Sequence, residues 1–224
     1  MNKRQTAIIS GISLILMAII AGFSVGYAFT ELYQYNQIDM LKDNVLNNQG
    51  LYKAMLLGIL IILILDLLVS YTLYKYFETD NKKISSISSA IRIIYTVIFG
   101  MATFYLIKNL QTDEFTNKNI NANFQQFQSI WNGGLIIFGV HILLIGILMK
   151  LHQKIPKILW YLTLFAGVSY IFLHILKLAN SGSGLVMNLE MILALPMALG
   201  ELGLAIWLLI KGGKDLKLIN KTSR

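Results

Sequence analysis

The sequence has no cysteine among its 224 residues. That absence excludes a disulfide scaffold, an iron–sulfur cluster, a cysteine-ligated zinc site and a thiol nucleophile. Histidine is also scarce, with His141, His152 and His174 only, so a site built from several histidine ligands is not expected. We predict no catalytic residue, no metal ion and no other cofactor from the sequence.

The sequence also contains few charged residues. Asp, Glu, Lys and Arg make up 13% of the chain, whereas soluble proteins carry roughly 25%. Hydrophobic residues reach 56%. A soluble surface with this composition would carry large apolar patches, which monomeric soluble proteins avoid. The composition therefore indicates an integral membrane protein.

What the sequence does contain is six long apolar runs. Each is near or above the ~20 residues that cross a hydrocarbon core of about 30 Å as a helix. The alternation typical of a membrane barrel is absent, so we expect helices. The predicted fold is a single all-α membrane domain over residues 1–224, a bundle of six transmembrane helices at about 7–29, 55–74, 84–107, 130–149, 158–176 and 185–210.

The basic residues predict how this bundle is oriented. Lys and Arg concentrate in cytoplasmic loops, and the asymmetry here favours a cytoplasmic N-terminus and C-terminus. The inner segments then hold Lys3, Arg4, Lys75, Lys82, Lys83, Lys150, Lys154, Lys157, Lys211, Lys214, Lys217, Lys221 and Arg224, and the outer ones Lys42, Lys53, Lys108, Lys118 and Lys177. This distribution accounts for the net charge of +8. We expect anionic inner-leaflet lipids as partners, and no nucleic acid.

Four spans each carry one ionisable residue in their interior. Asp66, Arg92, His141 and Glu201 each lie about nine or ten residues from the nearest basic residue at the inner flank. At 1.5 Å per residue, all four are roughly 13–15 Å from that flank, near the bilayer centre. Each charge there costs perhaps ~2.5–3.5 kcal/mol, so it should face the bundle and find partners. We predict that the four converge in one buried cluster.

The expected contacts within this cluster follow from the chemistry of the side chains. Arg92 can bind one carboxylate through two hydrogen bonds, and His141 can bind the other or share a proton with it. Tyr95, three residues after Arg92, can join the network. Two interpretations stay open: an ionic staple that holds four helices together, or a proton-relay or solute site.

Two further features of the spans bear on packing. Pro196 falls inside the last span, where it should free the carbonyl of Ile192 and kink the helix. With Ala194, Ala198 and Ala205 at adjacent positions, this kink could open a small cavity beside Glu201. In the first span, Gly22 and Gly26 form a GxxxG pattern, which lets a partner helix approach closely.

Several of these residues resemble a known family. The segment Phe138-Gly139, His141 and Gly146, followed by Pro156, Leu159, Ala166-Gly167 and Tyr170, is similar to the fourth and fifth spans of domain-of-unknown-function family 4386. The last span, from Leu195-Pro196 through Glu201 to Gly212, resembles its C-terminal signature, and Asp66, Arg92, Ala7 and Gly11 are also in place. The resemblance implies an uncharacterised multi-pass membrane protein of the bacterial plasma membrane, and no activity.

Three functions remain open from the sequence. The first is a membrane protein whose buried site, with Asp66, Arg92, His141, Glu201 and Tyr95 as candidates, serves proton-linked transport or sensing of a small solute. The second is a structural or accessory subunit that packs against a partner through its first helix. The third, an enzyme acting on a membrane lipid or isoprenoid, is disfavoured because the spans contain no aspartate-rich or HExxH motif.

Overall fold

The computed structural model describes residues 1–34, 38–110, 116–180 and 183–214. Three basic residues that the orientation argument places on the inner side, Lys217, Lys221 and Arg224, lie outside the described residues. The described chain is helical throughout, and its elements follow the apolar runs of the sequence.

Six helices make up the fold. Helix α1 (Lys3–Leu32) contains a π-helical segment, Gly22–Ala28, between two α-helical parts. A single 3₁₀ turn precedes the short α2 (Leu41–Asn47). The long helices are α3 (Gln49–Lys108), α4 (Asn117–Leu151), α5 (Lys157–Asn180) and α6 (Gly184–Ile210).

Helix α3 is a hairpin of two antiparallel arms. Its helical backbone breaks at Asn81, where φ is −159° and ψ is 102°. The side chain of Asn81 accepts a hydrogen bond from the Ile84 amide at 3.0 Å and so caps the second arm. Across the hairpin, the Ser85 hydroxyl donates to the Tyr74 carbonyl at 3.0 Å. The arms, 49–80 and 82–108, correspond to the second and third apolar runs.

Five helices in the described part of the chain are long and apolar enough to cross a membrane: α1, α3, α4, α5 and α6. Since the hairpin of α3 supplies two such segments, the prediction of an all-helical fold with long apolar helices is confirmed. These helices indicate a membrane protein. The side on which the termini lie remains a prediction.

The long helices form a closed ring. Helix α1 packs against α3 and α6, α4 packs against α3 and α5, and α5 packs against α6. Glycine permits close contacts between these helices: a Cβ atom on Gly11 of α1 would lie 2.8 Å from the Ala205 carbonyl oxygen of α6. The ring leaves space along its axis, and the polar residues of the spans face that space.

The N-terminus and the inner loops meet at one end of the ring. Lys3 donates to the Thr79 hydroxyl at 2.8 Å, beside the turn of the hairpin. Arg4 donates to the carbonyls of Leu208, Leu209 and Gly212 at 3.0, 2.6 and 2.8 Å, and so satisfies the C-terminus of α6. His152, between α4 and α5, pairs with Asp80 beside the same turn at 2.9 Å. The described N-terminus, the hairpin turn, the α4–α5 loop and the end of α6 are therefore gathered at the same end.

The GxxxG glycines of α1 face away from the rest of the chain. Both belong to the π-helical segment. A Cβ atom built on Gly22 would meet nothing within 4 Å, and one on Gly26 would meet the Ala21 carbonyl oxygen at 3.9 Å. Within the described residues this pattern does not mediate a helix contact, and a partner from another chain stays a prediction.

Candidate functional site

A fully buried ion pair joins the two arms of α3. Arg92 donates to Oδ1 of Asp66 from Nε at 2.9 Å and from Nη2 at 2.6 Å. Both side chains are inaccessible to solvent. Both bonds end on the same carboxylate oxygen. Among the residues that the structure describes, Oδ2 of Asp66 has no hydrogen-bond partner.

His141 of α4 completes the coordination of Arg92. The guanidinium can only donate, so Nε2 of His141, which lies 3.1 Å from Nη1 of Arg92, acts as the acceptor. The ring proton is then assigned to Nδ1, which lies 2.9 Å from the carbonyl oxygen of Ser88. In this arrangement His141 is a neutral imidazole that orients the guanidinium.

Two apolar groups enclose the remaining faces of the Arg92 side chain. The guanidinium carbon lies 5.3 Å from the ring centroid of Phe138, a cation–π contact. On the other side, Nη2 lies 3.9 Å from the sulfur atom of Met17 in α1. Arg92 thus connects α1, both arms of α3 and α4 at one depth of the bundle.

Glu201 lies on the opposite side of the axis, on α6. Its Oε1 accepts a hydrogen bond from the Tyr170 hydroxyl of α5 at 3.2 Å. A small void of about 10 Å³ is lined by Arg92, His141, Thr163 and Glu201, a volume close to what one water molecule needs. Glu201 therefore borders the ion pair without direct contact.

This geometry differs in detail from the contacts expected within the cluster. Arg92, Asp66 and His141 are in direct contact, and the presence of a buried charged cluster is confirmed. The expectation that His141 binds a carboxylate is wrong in this structure, because its Nε2 faces the guanidinium. The carboxylate of Glu201 is bound by Tyr170 instead.

A cavity of about 360 Å³ opens directly beside this cluster. Asp66 and Glu201 lie at its floor, and most of its wall is apolar. Aromatic rings form a large part of that wall: Tyr95, Phe99, Trp131, Phe138 and Tyr170. Asp66, whose Oδ2 is buried and has no hydrogen-bond partner among the described residues, is thus one of the residues that line an aromatic cavity.

An ion pair lies at the other end of the cavity. Lys177 of α5 donates to Glu190 of α6, and both residues line the cavity. Beside them, Nδ1 of His174 lies 2.9 Å from the Asn132 side-chain oxygen. These residues lie at the end of the bundle opposite the N-terminus, so the cavity runs from mid-depth towards that end.

The remaining predicted residues lie around the cavity. Tyr95 lines it, and its hydroxyl accepts from the Trp131 indole at 3.4 Å rather than from the ion pair. Helix α6 continues through Pro196. Ala198 and Glu201 line the cavity, whereas Ala194 and Ala205, which were expected beside it, do not. The kink at Pro196 stays a prediction. In the described ranges, His, Asp and Glu form no group of three that could hold a metal ion.

Sequence reasoning missed three residues of the site. Ser88 fixes the tautomer of His141, Tyr170 binds Glu201, and Trp131 binds Tyr95. Ser88 had a sequence signal, since it lies four residues before Arg92 on the same helical face. Tyr170 appeared only in the family resemblance, and Trp131 carried no signal.

Comparison with known proteins gives a family and no activity. The chain matches the family described as Domain of unknown function (DUF4386) over residues 9–212. It is also 33% identical over 165 residues to a protein of Archaeoglobus fulgidus described as "Uncharacterized protein", which covers 74% of this chain and 88% of that protein. No solved structure matches the chain. The resemblance seen in the sequence is confirmed.

Proposed function

We propose that this chain, which belongs to the DUF4386 family, binds a small organic cation in the cavity between Asp66 and Glu201. The observation that carries the proposal is that Asp66 lines an aromatic cavity while its buried Oδ2 has no hydrogen-bond partner among the described residues. Leaving a buried carboxylate oxygen without a donor costs about 1–3 kcal/mol. A bound cation would recover that cost.

The charge count of the site favours a cation. Asp66 and Arg92 compensate each other, and His141 is neutral. Glu201 therefore adds one negative charge when it is ionised and none when it holds a proton. A cation and a proton would then compete for the same site, which links binding to proton uptake and release.

The walls suit an organic cation rather than a hydrated metal ion. Aromatic faces attract quaternary ammonium groups by about 0.5–2 kcal/mol each, and five aromatic residues line the cavity. The volume of about 360 Å³ is at the small end of the range for ligand pockets.

Proton-linked transport or sensing of such a solute is the role that we propose. We place the protein in the plasma membrane of a bacterium, with both termini in the cytoplasm and the basic inner end against anionic lipids. The cavity would then face the outside. The buried layer of Asp66, Arg92 and His141 separates it from the inner end, so transport would require this layer to rearrange.

The alternative is a structural or accessory subunit in which the cluster is an ionic staple. The complete coordination of Arg92 by Asp66, His141 and Phe138 supports it, and a partner would pack on Gly22 and Gly26. The cavity beside Asp66 is what favours ligand binding, because a staple needs no such space.

Fluorescence of Trp131 tests the proposal, because this residue lines the cavity. The chain has three tryptophans, so Trp160→Phe with Trp207→Phe leaves Trp131 as the reporter. We expect butyltrimethylammonium to change its emission saturably, with an affinity that rises with pH. Glu201→Gln should remove the pH dependence, and Glu78→Gln, a carboxylate outside the cavity that pairs with Lys75, should retain it.

The absence of saturable binding in the folded protein would overturn the proposal, as would an unchanged pH dependence in Glu201→Gln. Proton flux in vesicles distinguishes transport from sensing. On addition of butyltrimethylammonium, a transporter moves protons in the wild type and in Glu78→Gln but not in Glu201→Gln. A sensor moves none.

A further inference from the structure

We infer that the ligand reaches the cavity sideways from the outer half of the membrane, between α1 and α6, and is a membrane-dissolved amphiphile with one positively charged head and an apolar tail. The inference rests on the proposed function, and it names the class of ligand and its route. Three features of the described residues support it.

The first feature is that the close contacts between α1 and α6 lie at the inner end. Arg4 binds the carbonyls of Leu208, Leu209 and Gly212. A Cβ atom on Gly212 would lie 2.8 Å from the Ala7 side chain, and Gly11 lies against Ala205 in the same way. The two helices are thus held together between the level of Glu201 and the inner end of the bundle.

The second feature is a gap between α1 and α6 on the other side of Glu201, towards the predicted outer end. Ala18 of α1 and Ala198 of α6 both line the cavity, and both are exposed. We take exposed cavity-lining residues on both of these helices to mark an opening. At these two positions α1 and α6 carry only the methyl side chains of alanine, which do not fill the space between the helices. The cavity therefore opens between α1 and α6.

The third feature is what surrounds the gap. Ile19 and Leu195, which are 65% and 66% exposed, lie next to it on the outside of α1 and α6. In a bilayer, such side chains contact acyl chains. The opening therefore faces hydrocarbon, and the molecules available to it are those dissolved in the membrane.

The aqueous end of the cavity is less suited to a cation. The Lys177–Glu190 ion pair lies there, and this pair of opposite charges offers no net attraction to a positive head group. A cation that arrives with its tail in the membrane instead passes only apolar and aromatic groups before it meets Asp66 and Glu201. The small volume then holds the head, while the tail extends through the gap into the lipid.

The test compares a short and a long probe in lipid nanodiscs, with Trp131 as the reporter. Wild-type protein should bind decyltrimethylammonium at least tenfold more tightly than butyltrimethylammonium, with concentrations expressed as mole fraction in the lipid. Ala18→Phe and Ala198→Phe narrow the gap and should weaken decyltrimethylammonium binding at least tenfold. Ile19→Phe is the matched control on the same helix, and its binding should equal the wild type.

A reversible chemical block of the gap gives a test that does not depend on whether the phenylalanine variants fold. The chain has no cysteine, so Ala198→Cys can be modified with benzyl methanethiosulfonate and restored with a reductant in the same sample. Modification should abolish binding of the long probe, and reduction should restore it.

The outcomes separate the two proposals. If the long probe binds equally well with the gap blocked, lateral entry is overturned while the proposed function stands. If butyltrimethylammonium binds and the long probe does not, the amphiphile class is overturned and a water-soluble cation remains. If neither probe changes Trp131 emission, the proposed function itself fails.

Discussion

Arg92 binds Asp66 through one carboxylate oxygen, Oδ1, and leaves the other, Oδ2, buried without a hydrogen-bond partner among the described residues. The donors Nε and Nη2 both reach Oδ1, at 2.9 and 2.6 Å, while His141 accepts from Nη1. A guanidinium normally faces a carboxylate with two parallel bonds to two oxygens. Here one oxygen holds the two arms of α3 together, and we propose that the second oxygen meets the positive charge of the ligand.

This division of roles predicts different effects for single and double substitutions. Arg92→Met leaves Asp66 as an unpaired buried charge and should destabilise the bundle by about 3–5 kcal/mol. The double variant Asp66→Leu with Arg92→Met removes both charges and should recover most of that loss. Unfolding in detergent micelles measures both effects.

The double variant also separates a staple from a binding site. If Asp66 binds the ligand, the restored protein should still fail to bind butyltrimethylammonium. A double variant that is stable and binds the cation with unchanged affinity would contradict the role given to Oδ2.

The orientation of the bundle can be tested with introduced cysteines, since the chain has none. Lys83 and Lys118 are exposed at opposite ends of the bundle, beside the α3 turn and in the first turn of α4. With the termini in the cytoplasm, a membrane-impermeant maleimide should label Lys118→Cys in intact cells. Lys83→Cys should be labelled only after permeabilisation. The reverse pattern would mean that the termini face outward.

Depth along each helix was enough to predict the buried cluster from the sequence. Asp66, Arg92 and His141 were placed in one layer by their spacing from flanking lysines, and the structure brings them into contact. The prediction works because a helix has a fixed rise per residue and the basic flanks mark one membrane surface. The number of residues between a side chain and its basic flank can be counted in the sequence without knowledge of how the helices pack.

Rotation about the helix axes could not be predicted in the same way. Spacing gives the depth of Glu201 but not the neighbour that it faces, and the partner is Tyr170 rather than Arg92 or His141. Which residues of α1 and α6 line the cavity, Ala18 and Ala198 among them, likewise depends on how these helices pack. Such contacts depend on the packing of whole helix faces, which no local pattern encodes.

The contact of Arg4 with α6 predicts a specific role for this residue. It satisfies three carbonyls at the end of the helix. Arg4→Gln should therefore destabilise the protein by about 1.5–3 kcal/mol, the range for hydrogen bonds to charged groups. Arg4→Lys retains the charge but not the fork of donors, so it should restore only part of the loss.

Thermal unfolding of the purified variants measures this effect. Lys83→Gln removes an exposed positive charge at the same end and should change stability by less than about 0.5 kcal/mol. Equal losses for Arg4→Gln and Lys83→Gln would show that net charge, and not the contact with α6, is responsible.

Two glycines of α3 provide a matched test of how α1 packs against the hairpin. A Cβ atom on Gly58 would lie 2.0 Å from the Ser24 hydroxyl oxygen, which belongs to the π-helical segment of α1. Gly58→Ala should therefore cost about 1–3 kcal/mol. A Cβ atom on Gly100 would meet its nearest neighbour, Leu63, at 4.0 Å. Gly100→Ala should be neutral or stabilise the helix by up to ~1 kcal/mol.

The hydroxyl of Ser24 makes the contact testable by a double-mutant cycle. It is buried and has no hydrogen-bond partner in the part of the chain that the structure describes, so Ser24→Ala alone should cost little. In the Ser24→Ala background, Gly58→Ala should lose less stability than in the wild type, because the closest clashing atom is gone. The recovery should be partial, since Ile20 would still lie 3.1 Å from the new Cβ atom. If the two substitutions are additive in thermal unfolding, then α1 does not pack on the hairpin at Gly58.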